Sequence, residues 1–162
     1  MHMKGIMLVL ALSVLSACAT APTAPSTALP SASAESSPAP ILPTQAILLA
    51  ADAAPKRVPG VFAMTVKGIG EKGGYAYLNS EQDYRDQRSL TIAISPPAAA
   101  QFMSTHGETI QAYFKGRSIQ VRGEAARTRI YFFADGKRTD KYYYQTQVLV
   151  RDPAQIQALG EG

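Results

Sequence analysis

Between Ala19 and Pro55 the chain is dominated by alanine, proline, serine and threonine, with seven prolines and two acids, Glu35 and Asp52. Such a segment cannot bury enough apolar surface to offset the entropy lost on ordering it. It reads as a disordered tether, residues 18–55, and confines the fold to residues 56–162, a length suited to a single small core. Cys18 is the only cysteine of the 162 residues, and beyond His2 the only histidine is His106. Disulfide, thiolate and multi-histidine metal chemistry are therefore excluded from the domain, which must stand on its apolar core without a cofactor.

Ahead of the tether, Lys4 precedes a ten-residue apolar stretch, Ile6–Leu15, too short for a spanning helix of ~20 residues. It closes on Leu15-Ser16-Ala17-Cys18, a run that resembles the lipobox of bacterial lipoproteins. The resemblance implies a signal peptide over residues 1–17, cleavage before Cys18 and lipidation of its thiol, with several acyl chains holding more firmly than one. Ala19, where an aspartate would resemble an inner-membrane retention signal, points to the outer membrane, facing the periplasm. One apolar interruption of the tether, Thr44–Ala54, starts at a residue able to cap a helix and carries Ile47, Leu48 and Leu49. It reads either as a weakly packed segment or as a docking peptide for a partner.

Beyond Lys56 the pattern is mostly strand. Gly60–Ile69 alternates Phe62, Met64 and Val66 with Ala63, Thr65 and Lys67, then meets the turn Glu71-Lys72-Gly73-Gly74 and a returning strand, Tyr75–Ser80. Leu90–Ile94 alternates large and small residues, as a strand with one buried face would. Pro96-Pro97 ends it, and Ala98–Thr105 with Thr109–Phe114 predicts a short helical connection. A further strand opens at Lys115-Gly116-Arg117 and continues to Phe133. Asp135-Gly136 is a turn signal, extended into a long loop by Lys137 and Arg138. Lys141–Arg151 reads as the last strand, and Asp152-Pro153 as the cap of a terminal helical turn.

Three strands, a helical connection and two strands is the order of the five-stranded OB-fold barrel. The stretches YAYLNSEQDYRDQRSLTIAIS, FKGRSIQVRGEA and VLVRDPAQIQAL also resemble bacterial OB-fold domains, in which a Lys-Gly step opens the fourth strand and an Asp-Pro-x-Gln-Ile step closes the fifth. The resemblance covers about 95 residues and implies a fold rather than a reaction. The acidic metal ligands and paired arginines of secreted nucleases sharing this barrel have no counterpart here, so a non-catalytic module is expected.

OB-folds take ligands on strands two and three and on the loops joining strands one to two and four to five. Tyr75 and Tyr77, two residues apart, would share an outward face suited to stacking, flanked by Arg85 and Arg88. Lys137, Arg138 and Lys141 would add charge from the opposite loop, with Tyr143 leading the last strand and Gln145 and Gln147 in phase. The domain carries 15 Lys and Arg against 10 Asp and Glu, a basic balance that favours anionic partners. Together these features predict binding of an extended anionic or sugar polymer, single-stranded nucleic acid or an envelope oligosaccharide. The alternatives are an interaction component of an envelope protein assembly and, third, a hydrolase. Glu81, Asp83 and Asp86 lack a calcium-loop spacing and sit among arginines, predicting a salt-bridged loop rather than a metal site. Ser104, His106 and Glu108 are two apart and would not face one another on a helix. Gly68-Ile69-Gly70 has no following helix and is no dinucleotide site.

Overall fold

The computed structural model describes residues 39–160. The lipobox-like run, Cys18 and most of the expected tether lie outside these residues. The segment expected to be one strand from Gly60 to Ile69 is two, β1 (Val58–Thr65) and β2 (Gly68–Lys72). They meet at Val66 and Lys67, whose N–H groups part company: Val66 donates to Arg117 O and Lys67 to Asn79 O, both at 2.9 Å. The bend sends one half of the chain to each of two different neighbours. From β2 the chain reverses through Gly73 and Gly74, both at positive φ, into β3 (Tyr75–Asn79), then through an ion-paired loop into β4 (Leu90–Ile94).

Pro96 and Pro97 do more than end a strand; they open α2 (Pro96–His106), because a residue without an N–H suits the first helical turn. That helix ends on Gly107 at φ +69. The next, α3 (Ile110–Phe114), is capped by Thr109, whose hydroxyl accepts from Ala112 N at 3.1 Å. Phe102, Tyr113 and Phe114 pack as a cluster with centroids 4.8–4.9 Å apart, and His106 stacks on Phe102 at 4.1 Å. The histidine is thus engaged with an aromatic ring.

A long hairpin follows, β5 (Ser118–Ala134) and β6 (Lys137–Val150), turned by Asp135-Gly136 at φ +50 and +72. Lys137 and Arg138, expected in a loop, are strand residues of β6, which begins four residues before the expected start at Lys141. The two-residue turn lets pairing run to the tip, with Ala134 opposite Lys137. The terminal helical turn is a single 3-10 turn (Pro153–Gln155), capped by Asp152, which then gives a short strand β7 (Ile156–Ala158) on the edge of β5.

The fold is mainly β: a seven-stranded mixed sheet in the order β1-β5-β6-β4-β3-β2, with β7 also on β5. The pair β4–β6 is parallel and the other ladders are antiparallel. The expected five-stranded closed barrel is therefore corrected. The bend at Val66–Lys67 divides the first strand, β7 adds another, and β1 and β2, the two ends of the path, are joined by the chain rather than by a ladder. The core lies on one face, with Phe62, Leu78, Leu90, Ile92, Ile119, Val121 and Val148 fully buried. All five residues of β4 are buried, Thr91 and Ala93 included, because its far face is the bottom of a groove rather than open surface.

The boundary expected at residue 55 also moves. The apolar interruption of the tether is helix α1 (Pro43–Ala53), on which Ala46 and Ala50 are fully buried in the core. Gln45 reaches back to accept from Leu42 N at 3.0 Å. Just before it, Ile41 pairs with the β1 edge, donating to Val61 O at 2.7 Å and accepting from Ala63 N at 3.0 Å. Alanine at the i and i+4 positions lets the helix approach the sheet closely, a packing signal that proline-rich surroundings mask. Among the described residues no helix is long and apolar enough to cross a membrane.

Candidate binding groove

On the sheet face away from the core, β3, β4 and β6 form the floor of a groove of about 610 Å³. Strand alternation turns Tyr77 and Asn79, then Thr91, then Tyr143, Gln145 and Gln147 into it. One wall is β2, from Ile69 to Lys72; the other is the outer half of β5, Ile130–Phe133; Gln82, Tyr84 and Arg85 of the β3–β4 loop close one side. The two walls meet where Lys72 Nζ lies over the Phe133 ring, 5.6 Å from its centroid.

The floor is polar and preorganised. Thr91 Oγ1 donates to Asn79 Oδ1 at 2.8 Å, Gln147 Nε2 to Gln145 Oε1 at 2.7 Å, and Gln145 Nε2 to the Tyr84 carbonyl at 2.8 Å. Asn79, Thr91 and Gln145 are all buried, so these bonds answer the cost of burying amides and a hydroxyl. Burial, and to a smaller degree Tyr75, pushes the Tyr77 phenol up from its ordinary value; burial and Tyr84 do the same at Tyr143, against a lowering by Arg85. Both hydroxyls are therefore neutral at physiological pH and able to donate. Tyr75 stacks beside Tyr77, with centroids 6.1 Å apart.

Of the expected ligand residues, Tyr77, Arg85 and Tyr143 line the groove, and Tyr75 supports it from the neighbouring position. Arg88 does not line it, being paired with Asp86 at 2.7 Å. Lys137, Arg138 and Lys141 are absent from the lining, and Arg138 instead lies over Tyr131 at 4.5 Å. Arg85 is itself held by Asp83 at 3.0 Å, and Glu81 by Lys67 at 3.0 Å. The three acids weighed for a metal are thus each engaged with a cation, as expected of a salt-bridged loop. The groove carries far less free positive charge than the composition suggested.

Sequence reasoning did not single out Tyr84, Phe132 and Phe133, exposed by 53, 45 and 61 %. The available signal was the run Ile130-Tyr131-Phe132-Phe133 beside a turn, too apolar for a solvated hairpin end. Nor did it single out Arg127 and Arg129, which alternate with Thr128 and Ile130 along β5 and so lie on its other face.

No family model matches the chain, and no curated protein does. Among solved structures, a match is a provisionally assigned aspartyl-tRNA synthetase from Leishmania major Friedlin, 14% identical, with a TM-score of 0.42 over 88% of this chain. The present chain spans 23% of that chain's length.

Proposed function

We propose that the groove binds an extended oligosaccharide, as a non-catalytic module on a lipid-anchored protein. One observation carries the reading: six aromatic rings, Tyr77, Tyr84, Tyr131, Phe132, Phe133 and Tyr143, and four amides, Asn79, Gln82, Gln145 and Gln147, line one trough whose arginine is already paired with an acid. Flat apolar rings match the C–H faces of sugars, and fixed amides and neutral phenols match their hydroxyls. The polyanion half of the sequence expectation receives less support, because Arg88, Lys137, Arg138 and Lys141 stand outside the lining.

The strand order supports an OB-type reading of the fold. β4 and β6 run parallel, β5 and β6 antiparallel, and a single bent segment, β1 followed by β2, serves both ends of the path. In that reading the groove corresponds to the ligand face between the first hairpin turn and the last. The sequence supports the remainder: lipidation of Cys18 after a signal peptide and an outer-membrane, periplasm-facing location. Fractionation of a Cys18→Ser chain tests that part, with loss of membrane association as the expected result.

Binding of cell-wall-derived and chitin-type oligosaccharides, measured by calorimetry from low to high salt with an oligo-dT strand as comparator, tests the groove. An oligosaccharide binding with little salt dependence supports the proposal. Tight oligo-dT binding that weakens steeply with salt would instead assign the groove to a nucleic-acid strand.

A further inference from the structure

The hairpin has a second face. By strand alternation Arg127, Arg129, Tyr142 and Tyr144 point away from the groove, and each guanidinium lies on a tyrosine ring. Arg127 is 3.9 Å from the Tyr144 centroid, Arg129 is 4.6 Å from Tyr142, and Arg138 is 4.5 Å from Tyr131. Arg129 also donates to Tyr131 Oη at 3.2 Å. All three arginines are exposed, and the ion pairs among the described residues, Lys67–Glu81, Arg85–Asp83 and Arg88–Asp86, use none of them. Three orienting rings for three unneutralised cations form a surface suited to oxyanions, since a stacked guanidinium can present N–H donors at its edge: those of Arg127 and Arg138 have no hydrogen-bond partner among the described residues, whereas Arg129 gives two to tyrosine hydroxyls. At the end nearest α1 the surface deepens into a pocket of about 300 Å³, where Arg127, Tyr142, Tyr144 and Thr146 face Ile47 and Ala51. Leu48, next along the helix, is 61 % exposed and Tyr142 45 %.

We infer that this face docks on the phosphate headgroups of an anionic phospholipid surface. Charge complementarity selects the occupant. The tyrosine faces are already covered by guanidiniums, so this surface offers cations rather than open platforms for the bases of a nucleic-acid strand, and the exposed Tyr142 on it suits the interfacial depth of a bilayer. The inference stands independently of the oligosaccharide reading, because its three arginines lie outside the groove lining; Tyr131 and Tyr143 border both sites. Its consequence is geometric: with this face against a membrane, the groove on the other face of β5 and β6 opens away from it.

Vesicle sedimentation tests this, using the full 162-residue chain with Cys18→Ser so that no acyl chain contributes. The readout is the ratio of binding to phosphatidylglycerol-containing vesicles over pure phosphatidylcholine vesicles, with the N-terminal apolar stretch present in every arm. Binding should favour the anionic vesicles, weaken with salt, and fall on the order of fivefold per arginine removed and about 100-fold for the triple Arg127→Gln, Arg129→Gln, Arg138→Gln variant. A triple lysine variant should retain most of the preference. Arg117→Gln, which removes a guanidinium stacked on Tyr113 outside this face, should change nothing. Equal binding to both vesicle types, a triple glutamine variant that binds like the parent, or an equal loss on Arg117→Gln would overturn the inference. So would oligo-dT binding that depends on these arginines while anionic vesicles are ignored.

Discussion

Tyr77 is the ring of the groove floor that lies beside the β2 wall. It pairs with Gly70 on β2 and Ala93 on β4, neighbours too small to cover its ring, so the ring is left half-buried and available. Tyr77→Ala should weaken oligosaccharide binding by ~1–3 kcal/mol, by analogy with the loss of a stacking ring at other sites. Tyr77→Phe should keep the stacking and lose only the phenol's hydrogen bond, about 1 kcal/mol. Calorimetry on the two variants separates the contributions; equal losses would mean that the hydroxyl, not the ring, is the recognition element. The loop beside it makes a separate prediction from two successive Asp-x-Arg pairs. Hydrogen bonds from the Arg88 side chain and backbone hold the Asp86 carboxyl down to about 2, and Arg85 lowers Asp83 in the same way. A depressed carboxylate favours the ordered loop above its unfolded value and stops doing so as pH falls through the folded one. Loop order, followed through the NMR resonances of Tyr84 and Arg88, should therefore persist to pH 4 and be lost between about pH 4 and 2. Loss already at pH 6 would mean that another group controls the loop.

Helix α1 and the outer hairpin are the elements that most change the meaning of the sequence. An 11-residue helix flanked by prolines has little stability of its own, and α1 is held instead by Ala46 and Ala50 against the core and by Ile41 on the β1 edge. Ala50→Asp would bury a carboxylate without a partner and should cost on the order of 3 kcal/mol or more in thermal or urea unfolding. An effect below ~0.5 kcal/mol would show that α1 does not belong to the folding unit. The strands β3 and β4 and the α2–α3 connection were legible because their signals are local: alternation, a glycine turn, a capping threonine. The split of the first strand was not, since nothing in Met64-Thr65-Val66-Lys67 records that two consecutive N–H groups bond to different strands. The basic loop was misplaced for a related reason. Lys137 and Arg138 follow a two-residue turn, and such a turn passes directly into paired strand. The site was half legible. Alternation in Tyr75–Asn79 gave the floor, whereas the hairpin wall depends on β5 continuing nine residues past its pairing with β1, a length set by tertiary contacts.

Across the whole molecule, the long hairpin gives one pair of strands two chemistries, rings and amides on the groove side and guanidiniums on tyrosines on the other. A two-stranded ribbon alone is marginal in water. Here it gains from the Tyr131–Tyr142 and Arg129–Tyr142 contacts on one face and from the Phe132–Tyr143 and Lys72–Phe133 contacts on the other. Exposed cations and a lining of rings and amides, weighed together at the level of composition, thereby lie on opposite sides of the same strands. The chain has no tryptophan, so fluorescence would report on its eight tyrosines together and cannot tell the faces apart. Amide and side-chain NMR can. Titrating isotope-labelled protein with the best-binding oligosaccharide should shift Tyr77, Asn79, Thr91, Tyr143, Gln145 and Gln147 together while leaving Arg127, Arg129 and Arg138 in place. Shifts confined to the arginine face, or no saturable shift of the floor residues at millimolar oligosaccharide, would contradict the assignment of the groove.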